Sequence, residues 1–261
     1  SGAFFGLAQL SPFTKKSSAW RDLMALPNIA SRVDALKNPA TRATLISEGI
    51  AAGDMNHLAH MLHPFGVEET PNLDFNRKAS LQQLAAEAGK DPVEVYVDRL
   101  AESEGREFFN YWMFGGNLEN QWKYMQLPHV VPMLGDAGAH VGFFTDTDSP
   151  TVLLSELTRE QGVYSLPEAI HRITGKSAEI IGLKERGELR EGWHADINII
   201  DYENLRTCHP EYVNDFPHGG GRFIVRSQGY DATIVAGEVV VENCQHTGQR
   251  PGKVIREFVR G

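Results

Sequence analysis

The sequence is poor in cysteine, in long apolar runs and in clustered positive charge. Its two cysteines, Cys208 and Cys244, are too few for a disulfide framework and favour a reducing compartment, the cytoplasm. A single bridge between them is the alternative, but packing as small apolar side chains is favoured. No apolar stretch approaches the roughly 20 residues that cross a bilayer, so no membrane association is expected.

The charge balance also excludes classes of partner. The chain carries 25 Lys and Arg against 34 Asp and Glu, a net charge of −9, and its longest basic run is Lys15-Lys16. Nucleic acid is therefore not expected as a partner, because binding to phosphates needs a cationic surface. The opening residues lack the basic segment of a signal peptide. Apolar residues make up 41% of the chain, which is enough for a sizeable core.

Capping residues, prolines and glycines predict where several helices begin and end along the chain. Asn38 precedes Pro39, and Asp91 precedes Pro92, so each pair is typical of an N-cap followed by proline at the first helical position. Ser80 predicts the start of another helix, which Gly89 would end. Further helices are predicted over 151–161 and 165–182.

Apolar segments at 1–10, 108–114 and 128–134 alternate with these helices, which predicts β/α units around a parallel sheet. The pattern changes near Gly187 to short strands separated by glycine and proline turns. The sequence therefore predicts an α/β domain over residues 1–186 and a small β domain over 187–261.

The chemistry concentrates where an apolar strand runs into Gly135-Asp136-Ala137-Gly138-Ala139-His140. Loops at the carboxyl ends of barrel strands build active sites. The flanking glycines allow a sharp bend and a close approach of another group. Asp136 is therefore the candidate catalytic residue and metal ligand, able to act as a general base toward a metal-bound water. The structural alternative is that it merely caps the next helix.

Other side chains are secondary candidates. His140 is predicted to orient Asp136 or contact substrate, with a structural role as an equal alternative. Arg222 is predicted to bind a substrate carboxylate bidentately, with a surface or domain-junction role as the favoured alternative. Asp146 is interpreted as a site residue or as the cap of the helix at 151. His57, His60 and His63 share a helical spacing that permits a metal site, although no partner carboxylate is evident.

The motif Gly135-Asp-Ala-Gly-Ala-His-Val-Gly142, followed by Asp146 and Pro150-Thr151, resembles the last barrel strand and loop of the amidohydrolase superfamily. It is most similar to the N-acyl-D-amino-acid deacylases, or D-aminoacylases. The similarity extends to Leu26-Pro27, Arg32 and residues 36–42, 169–178, 182–201, 234–241 and 247–252.

This resemblance implies a fold and a reaction. The fold is the C-terminal half of a metal-dependent-hydrolase (β/α)8 barrel followed by part of a β-sandwich. The cofactor is Zn²⁺, as one or two divalent metals, and the substrate is an N-acyl amino acid, most specifically an N-acyl-D-amino acid. Asp136 matches the position of the superfamily's proton shuttle to a metal-bound water. Zinc lowers the pKa of such a water to about 7.

The chain departs from the superfamily in its metal ligands. No His-x-His pair occurs in its 261 residues. The superfamily's bridging Lys, Cys or Glu and its two later histidines also belong to strands that precede those identified in this sequence. Most metal ligands are therefore expected outside this chain, on the N-terminal half of the barrel, in the same gene product or a partner chain. Two alternatives follow. One is cyclic-amide hydrolysis of the hydantoinase or dihydropyrimidinase kind. The other is an inactive fragment or partner subunit.

Overall fold

The computed structural model describes residues 3–8, 10–71, 73, 79–111, 118–132, 135, 138–143 and 146–258. The α-helices are α1 (Ser18–Ala25), α2 (Ile29–Lys37), α3 (Pro39–Ala52), α4 (Met55–Leu58), α5 (Leu81–Ala88), α6 (Pro92–Glu102), α7 (Leu118–Met125), α8 (Ser149–Val152), α9 (Leu166–Ile173) and α10 (Gly175–Ile181). A π-helical segment, Leu153–Glu160, continues α8.

The strands are β1 (Ala3–Phe5), β2 (Leu62–Pro64), β3 (Phe109–Tyr111), β4 (Ile197–Ile200), β5 (Arg206–Thr207), β6 (Glu211–Val213), β7 (Arg222–Ile224), β8 (Ser227–Gln228), β9 (Tyr230–Val235), β10 (Glu238–Glu242) and β11 (Gln245–His246). The predicted mixed α/β class is confirmed, and so are short strands in the last third of the chain.

Local helix signals are confirmed where a side chain can cap the backbone. The Asn38 side chain accepts hydrogen bonds from the first turn of α3. Ser80 and Asp91 each form a reciprocal capping box, with Gln83 and Glu94 respectively. Gly89 closes α5 in the left-handed conformation. Each of these contacts lies within a few residues along the chain, so the sequence alone predicts it.

Strand pairing differs from the prediction. The first sheet has the order β1-β3-β2, and both of its pairs are antiparallel rather than parallel. Residues 128–132 form no strand, and 133–134 lie outside the described residues. A short apolar run predicts burial but not the direction of its partner, which depends on contacts far away in sequence. No closed barrel is formed by the strands that the structure describes.

The chain divides into two compact units that alternate along the sequence. The first unit comprises Ser1–Leu118, Asp136–Thr145 and His209–Ile224, and the second comprises Glu119–Gly135, Asp146–Cys208 and Val225–Gly261. The contacts thus group residues 146–208 together, whereas the boundary near 186, inferred from the change in pattern, stays a prediction.

The core of the first unit lies between helices α1, α2, α3, α5 and α6 and one face of the β1-β3-β2 sheet. Trp20, Tyr96 and Phe109 are fully buried there. The Trp20 indole N–H donates to the Leu45 carbonyl at 2.9 Å, which ties α1 to α3. This core positions the sheet whose opposite face carries the polar residues described below.

The second unit holds an antiparallel sheet of order β11-β10-β9-β4 and a helical layer around Leu153, Leu154 and Ala169. The predicted helix over 165–182 is instead two helices, α9 and α10, broken at Thr174. The Arg172 guanidinium donates to backbone carbonyls of residues 125–127 and 130, and so holds the end of α7.

The structure also bears on the predictions about the two cysteines and about membrane-spanning segments. Neither cysteine forms a disulfide within the described part of the chain, and Cys208 is half-buried while Cys244 is exposed. The prediction that Cys244 packs as a small apolar side chain is therefore wrong. Cys244 lies with Asn243 in the positive-φ turn between β10 and β11, where its side chain is exposed. In the part of the chain that the structure covers, every helix is too short or too polar to cross a bilayer. The cytoplasmic location stays a prediction.

Candidate active site

Asp136, the predicted catalytic residue and metal ligand, lies outside the described residues, but the glycines on either side are placed. A side chain at Gly135 would lie 3.0 Å from the Asp146 carbonyl and 3.2 Å from the Ser149 hydroxyl. Gly138 has φ of +86°, in the left-handed region. These positions therefore need glycine for the two reasons inferred from the sequence, close approach and a sharp bend.

Backbone hydrogen bonds hold the following turn, residues 138–143, in the first unit. The Phe143 N–H donates to the His140 carbonyl at 2.9 Å. The Phe4 N–H of β1 donates to the Phe143 carbonyl at 3.0 Å, and the Phe223 N–H of β7 donates to the Val141 carbonyl at 2.8 Å. The turn that follows Asp136 therefore lies along β1 on one side and β7 on the other.

His140 lies on this turn with an exposed side chain and φ of 51°. Its ring stacks on the Phe143 ring, with centroids 5.2 Å apart and an interplanar angle of 24°. The imidazole is thus exposed, four residues after the predicted catalytic residue in sequence, and its predicted role of orienting Asp136 or contacting substrate stays a prediction.

Arg222 is held by a carboxylate of its own chain. Its Nε and Nη2 donate to the two carboxylate oxygens of Asp215 at 2.8 and 2.7 Å, and its guanidinium lies 5.3 Å from the centre of the Phe216 ring. The hydrogen bonds raise the pKa of Arg222 and lower the pKa of Asp215. A substrate carboxylate would have to displace Asp215 from Arg222. The bidentate binding of substrate by Arg222 therefore stays a prediction.

The sheet places two polar residues, Asn110 and His63, side by side. The sequence alone did not predict that they are neighbours. Phe4, Asn110 and His63 are aligned across β1, β3 and β2 in register. Side chains directly opposite in such pairs have Cβ atoms about 4.5–5.5 Å apart. Leu62 and Phe109, the strand neighbours of His63 and Asn110, point into the helical core. By strand alternation Asn110 and His63 therefore lie on the opposite face.

Aromatic rings continue this second face. Phe4, Phe65, Phe108 and Phe223 form one buried cluster. The His209 ring stacks on Phe108 at 5.6 Å between centroids. Both ring nitrogens of His209 lie 2.8 Å from backbone carbonyl oxygens, those of Pro210 and Gly66. The face thus combines buried aromatic rings with the polar side chains of Asn110 and His63.

In the second unit, Asp146 and Asp148 begin the segment that leads into α8. The Thr207 hydroxyl donates to Asp148. Burial raises the pKa of Asp148, the Thr207 hydrogen bond opposes this, and the nearby Asp146 adds to it. Neither carboxylate caps α8 with its side chain, so the capping interpretation of Asp146 is wrong. The position directly before the helix, from which a side chain can cap it, is Asp148, and Asp146 lies two residues further upstream.

The described residues do not complete a metal site. Among them, no three His, Cys, Asp or Glu side chains are grouped as metal ligands. His57 and His60 are exposed near the end of α4, whereas His63 lies in β2, so the three histidines do not share one helix. A metal centre would therefore need ligands from outside the described residues.

Comparisons with known proteins agree with the motif. A family model described as the amidohydrolase family matches residues 7–241. The N-acyl-D-aspartate deacylase of Alcaligenes xylosoxydans xylosoxydans is 38% identical over 105 residues, which are 40% of this chain and 19% of that protein. A dihydroorotase of Endomicrobium trichonymphae is 36% identical over 94 residues, 34% of this chain and 21% of that protein.

A solved structure of N-acyl-D-glutamate deacylase from Bordetella bronchiseptica, complexed with zinc and a phosphonate inhibitor, is also similar. Its TM-score is 0.43 and its identity 22%, over 78% of this chain and 39% of that chain. The chain thus spans less than half the length of that relative. The family model covers nearly the whole chain, motif included, and the chain belongs to the amidohydrolase family.

Proposed function

We propose that the protein carrying this chain hydrolyses the amide bond of N-acyl amino acids, most specifically N-acyl-D-amino acids. The observation that carries the proposal is the family match over residues 7–241, which includes the Asp136 motif. The identity to an N-acyl-D-aspartate deacylase supports the substrate class.

In this proposal Asp136 is the proton shuttle. Its carboxylate takes a proton from the attacking water and delivers it to the departing nitrogen, which needs a group placed at the mouth of the site. The fold we propose is the C-terminal half of a (β/α)8 barrel followed by part of a β-sandwich. A divalent metal, Zn²⁺ for preference, is the proposed cofactor, and it supplies an activated water when bound.

The secondary site residues keep their proposed roles. His140 contacts substrate from the turn after Asp136, which its exposure supports. Arg222 binds a substrate carboxylate in exchange for Asp215, since its guanidinium already holds a carboxylate in the bidentate geometry that such recognition requires.

A second candidate is hydrolysis of a cyclic amide. The 36% identity to a dihydroorotase over 94 residues favours it, because that enzyme belongs to the cyclic-amide class that the sequence left open. A substrate panel separates the candidates, with N-acetyl-D-aspartate and N-acetyl-D-glutamate on one side and dihydroorotate and hydantoin on the other.

The test uses the natural gene product that carries this chain, supplied with Zn²⁺. We expect the wild type to cleave the acyl amides and Asp136→Asn to lower kcat by about 100-fold or more, the range of general acid–base catalysis. Asp22→Asn is the control, because Asp22 is exposed on α1. It should leave kcat unchanged. Equal activity of Asp136→Asn and wild type would reject the shuttle, and cleavage of cyclic amides alone would select the second candidate.

A further inference from the structure

We propose that Asn110 is a specificity-determining residue whose side-chain oxygen accepts a hydrogen bond from the amide N–H of the substrate, a role that rests on the proposed hydrolase function. The ligand class is a secondary amide, such as an N-acyl amino acid. The evidence is the burial of this side chain, its place on the sheet and the chemistry of a carboxamide.

The Asn110 side chain is buried without its full set of hydrogen bonds. The residue is only 6% exposed. Its Oδ1 is buried and has no hydrogen-bond partner among the residues that the structure describes. Leaving a buried acceptor unsatisfied costs about 1–3 kcal/mol. Such an exception calls for a specific explanation, and a ligand that brings a donor provides one.

The place of Asn110 on the sheet fits a ligand. It lies on the middle strand, on the face away from the helical core, with Phe4 on one side and His63 on the other. The turn after Asp136 continues beyond β1 through the Phe4–Phe143 hydrogen bond. With strands about 4.8 Å apart, Asn110 lies about 10 Å from that turn. One small molecule can therefore span both.

The surroundings of Asn110 increase what one hydrogen bond contributes. Phe108, two residues before Asn110, and Phe65, two residues after His63, belong to the aromatic cluster. In such an apolar setting a hydrogen bond is stronger than in water. A substituted amide that lacks its N–H would leave Oδ1 without a donor, so the site would reject it.

The experiment compares two probes, N-acetyl-D-aspartate and N-acetyl-N-methyl-D-aspartate, which differ in the amide N–H. Dissociation constants are measured by calorimetry on the natural gene product, and turnover is followed on the same samples. We expect the wild type to bind the N–H probe about tenfold more tightly, one hydrogen bond's contribution. Asn110→Leu should bind both probes alike, with Tm unchanged or raised, because it replaces an unsatisfied polar group by an apolar one of similar volume.

Tyr96→Phe is the matched control. The Tyr96 hydroxyl is also buried with no hydrogen-bond partner among the described residues, but it lies in the helical core, where its ring contacts Phe109 at 4.7 Å between centroids. Tyr96→Phe should keep both the Tm and the wild-type preference. If Asn110→Leu does not fold, Asn110→Val provides the same comparison with a side chain suited to a strand.

The outcomes separate this role from the proposed function. A preference for the N–H probe that Asn110→Leu abolishes, without turnover of either probe, supports the role of Asn110 and rejects the hydrolase. Turnover with a preference that Asn110→Leu retains rejects the role of Asn110 alone. A fall in Tm with an unchanged preference shows that Asn110 is structural and overturns the proposal.

Discussion

At the scale of single residues, Asp148 is a buried carboxylate whose ionised form is disfavoured in the folded protein. Burial raises its pKa, and the Thr207 hydroxyl only partly offsets this. In the unfolded chain the group ionises near 3.8, whereas in the fold it keeps its proton to a higher pH. Between these two values the folded state binds more protons than the unfolded state, so stability falls as pH rises.

Asp148→Asn should therefore raise the Tm at pH 7. The amide oxygen can still accept from Thr207, while the charge that burial penalises is gone. The gain should shrink as pH falls toward 3.8, the ordinary pKa of an Asp side chain, because Asp148 takes up its proton at a higher pH in the fold than in the unfolded chain. Thermal unfolding of both proteins across this pH range measures the difference. A lower Tm for Asp148→Asn at pH 7 would contradict the expectation and indicate that the ionised form has a partner.

At the scale of elements, the break between α9 and α10 depends on a glycine further along the chain. Gly187 has φ of +86°, and a Cβ there would lie 2.9 Å from the Thr174 carbonyl and 2.8 Å from the Ala178 Cβ. Gly187 therefore packs its backbone directly against the break. The place where the predicted helix over 165–182 divides into two is therefore also a tight packing contact.

Gly187→Ala should destabilise the protein by about 2–4 kcal/mol, the sum of left-handed strain and overpacking. Gly192→Ala is the control, since Gly192 has φ of +84° but no atom of the described structure within 4 Å of a built Cβ. It should lose only about 1 kcal/mol. Urea denaturation gives both free energies of unfolding. Equal losses would show that the contact of Gly187 with the break contributes nothing.

The distance along the chain between contacting residues explains how much of the fold the sequence predicts. The caps at Asn38, Ser80 and Asp91 were predictable because each bonds to backbone within three residues. The antiparallel pairing of β1 with β3 joins residues over 100 positions apart. No local pattern encodes it, so the parallel sheet was predicted incorrectly.

The candidate site divides in the same way. The reason for glycine on both sides of Asp136 was predictable from the motif. A Cβ at Gly135 would lie very close to the Asp146 carbonyl, and Gly138 has a positive φ. Asn110 was missed because its polarity shows only as one interruption in an aromatic strand. Its alignment with His63 needs the register of the sheet. The Asp215 partner of Arg222 lies seven residues away, across the β6–β7 turn, and needed the hairpin to become visible.

At the scale of the whole molecule, the chain passes repeatedly between its two compact units. The segment around the motif is divided, with Gly135 and Asp146 in the second unit and residues 136–145 in the first. A change in local pattern, such as the one near Gly187, marks where strands replace helices. It does not report which segments pack together, so the interleaving could not be predicted from the sequence.

The supply of metal ligands is also a property of the whole molecule. A zinc site takes four ligands, or three and a water. The described residues include no group of three ligand side chains. One carboxylate, Asp136, does not hold zinc by itself. We therefore expect the 261-residue chain alone, purified and dialysed with Zn²⁺, to retain well below one equivalent and to cleave no N-acyl amino acid. The natural gene product that carries this chain, which we propose supplies the other ligands, should retain at least one.

Mass spectrometry of the metal content measures this directly, with Asp136→Asn as the comparison in both proteins. In the gene product, Asp136→Asn should lower the retained zinc if Asp136 is a ligand and leave it unchanged if Asp136 only moves protons. Stoichiometric zinc in the 261-residue chain that Asp136→Asn removes would contradict the prediction. It would mean that the chain assembles a full ligand set around Asp136, and the search for the remaining ligands would then return to its own histidines.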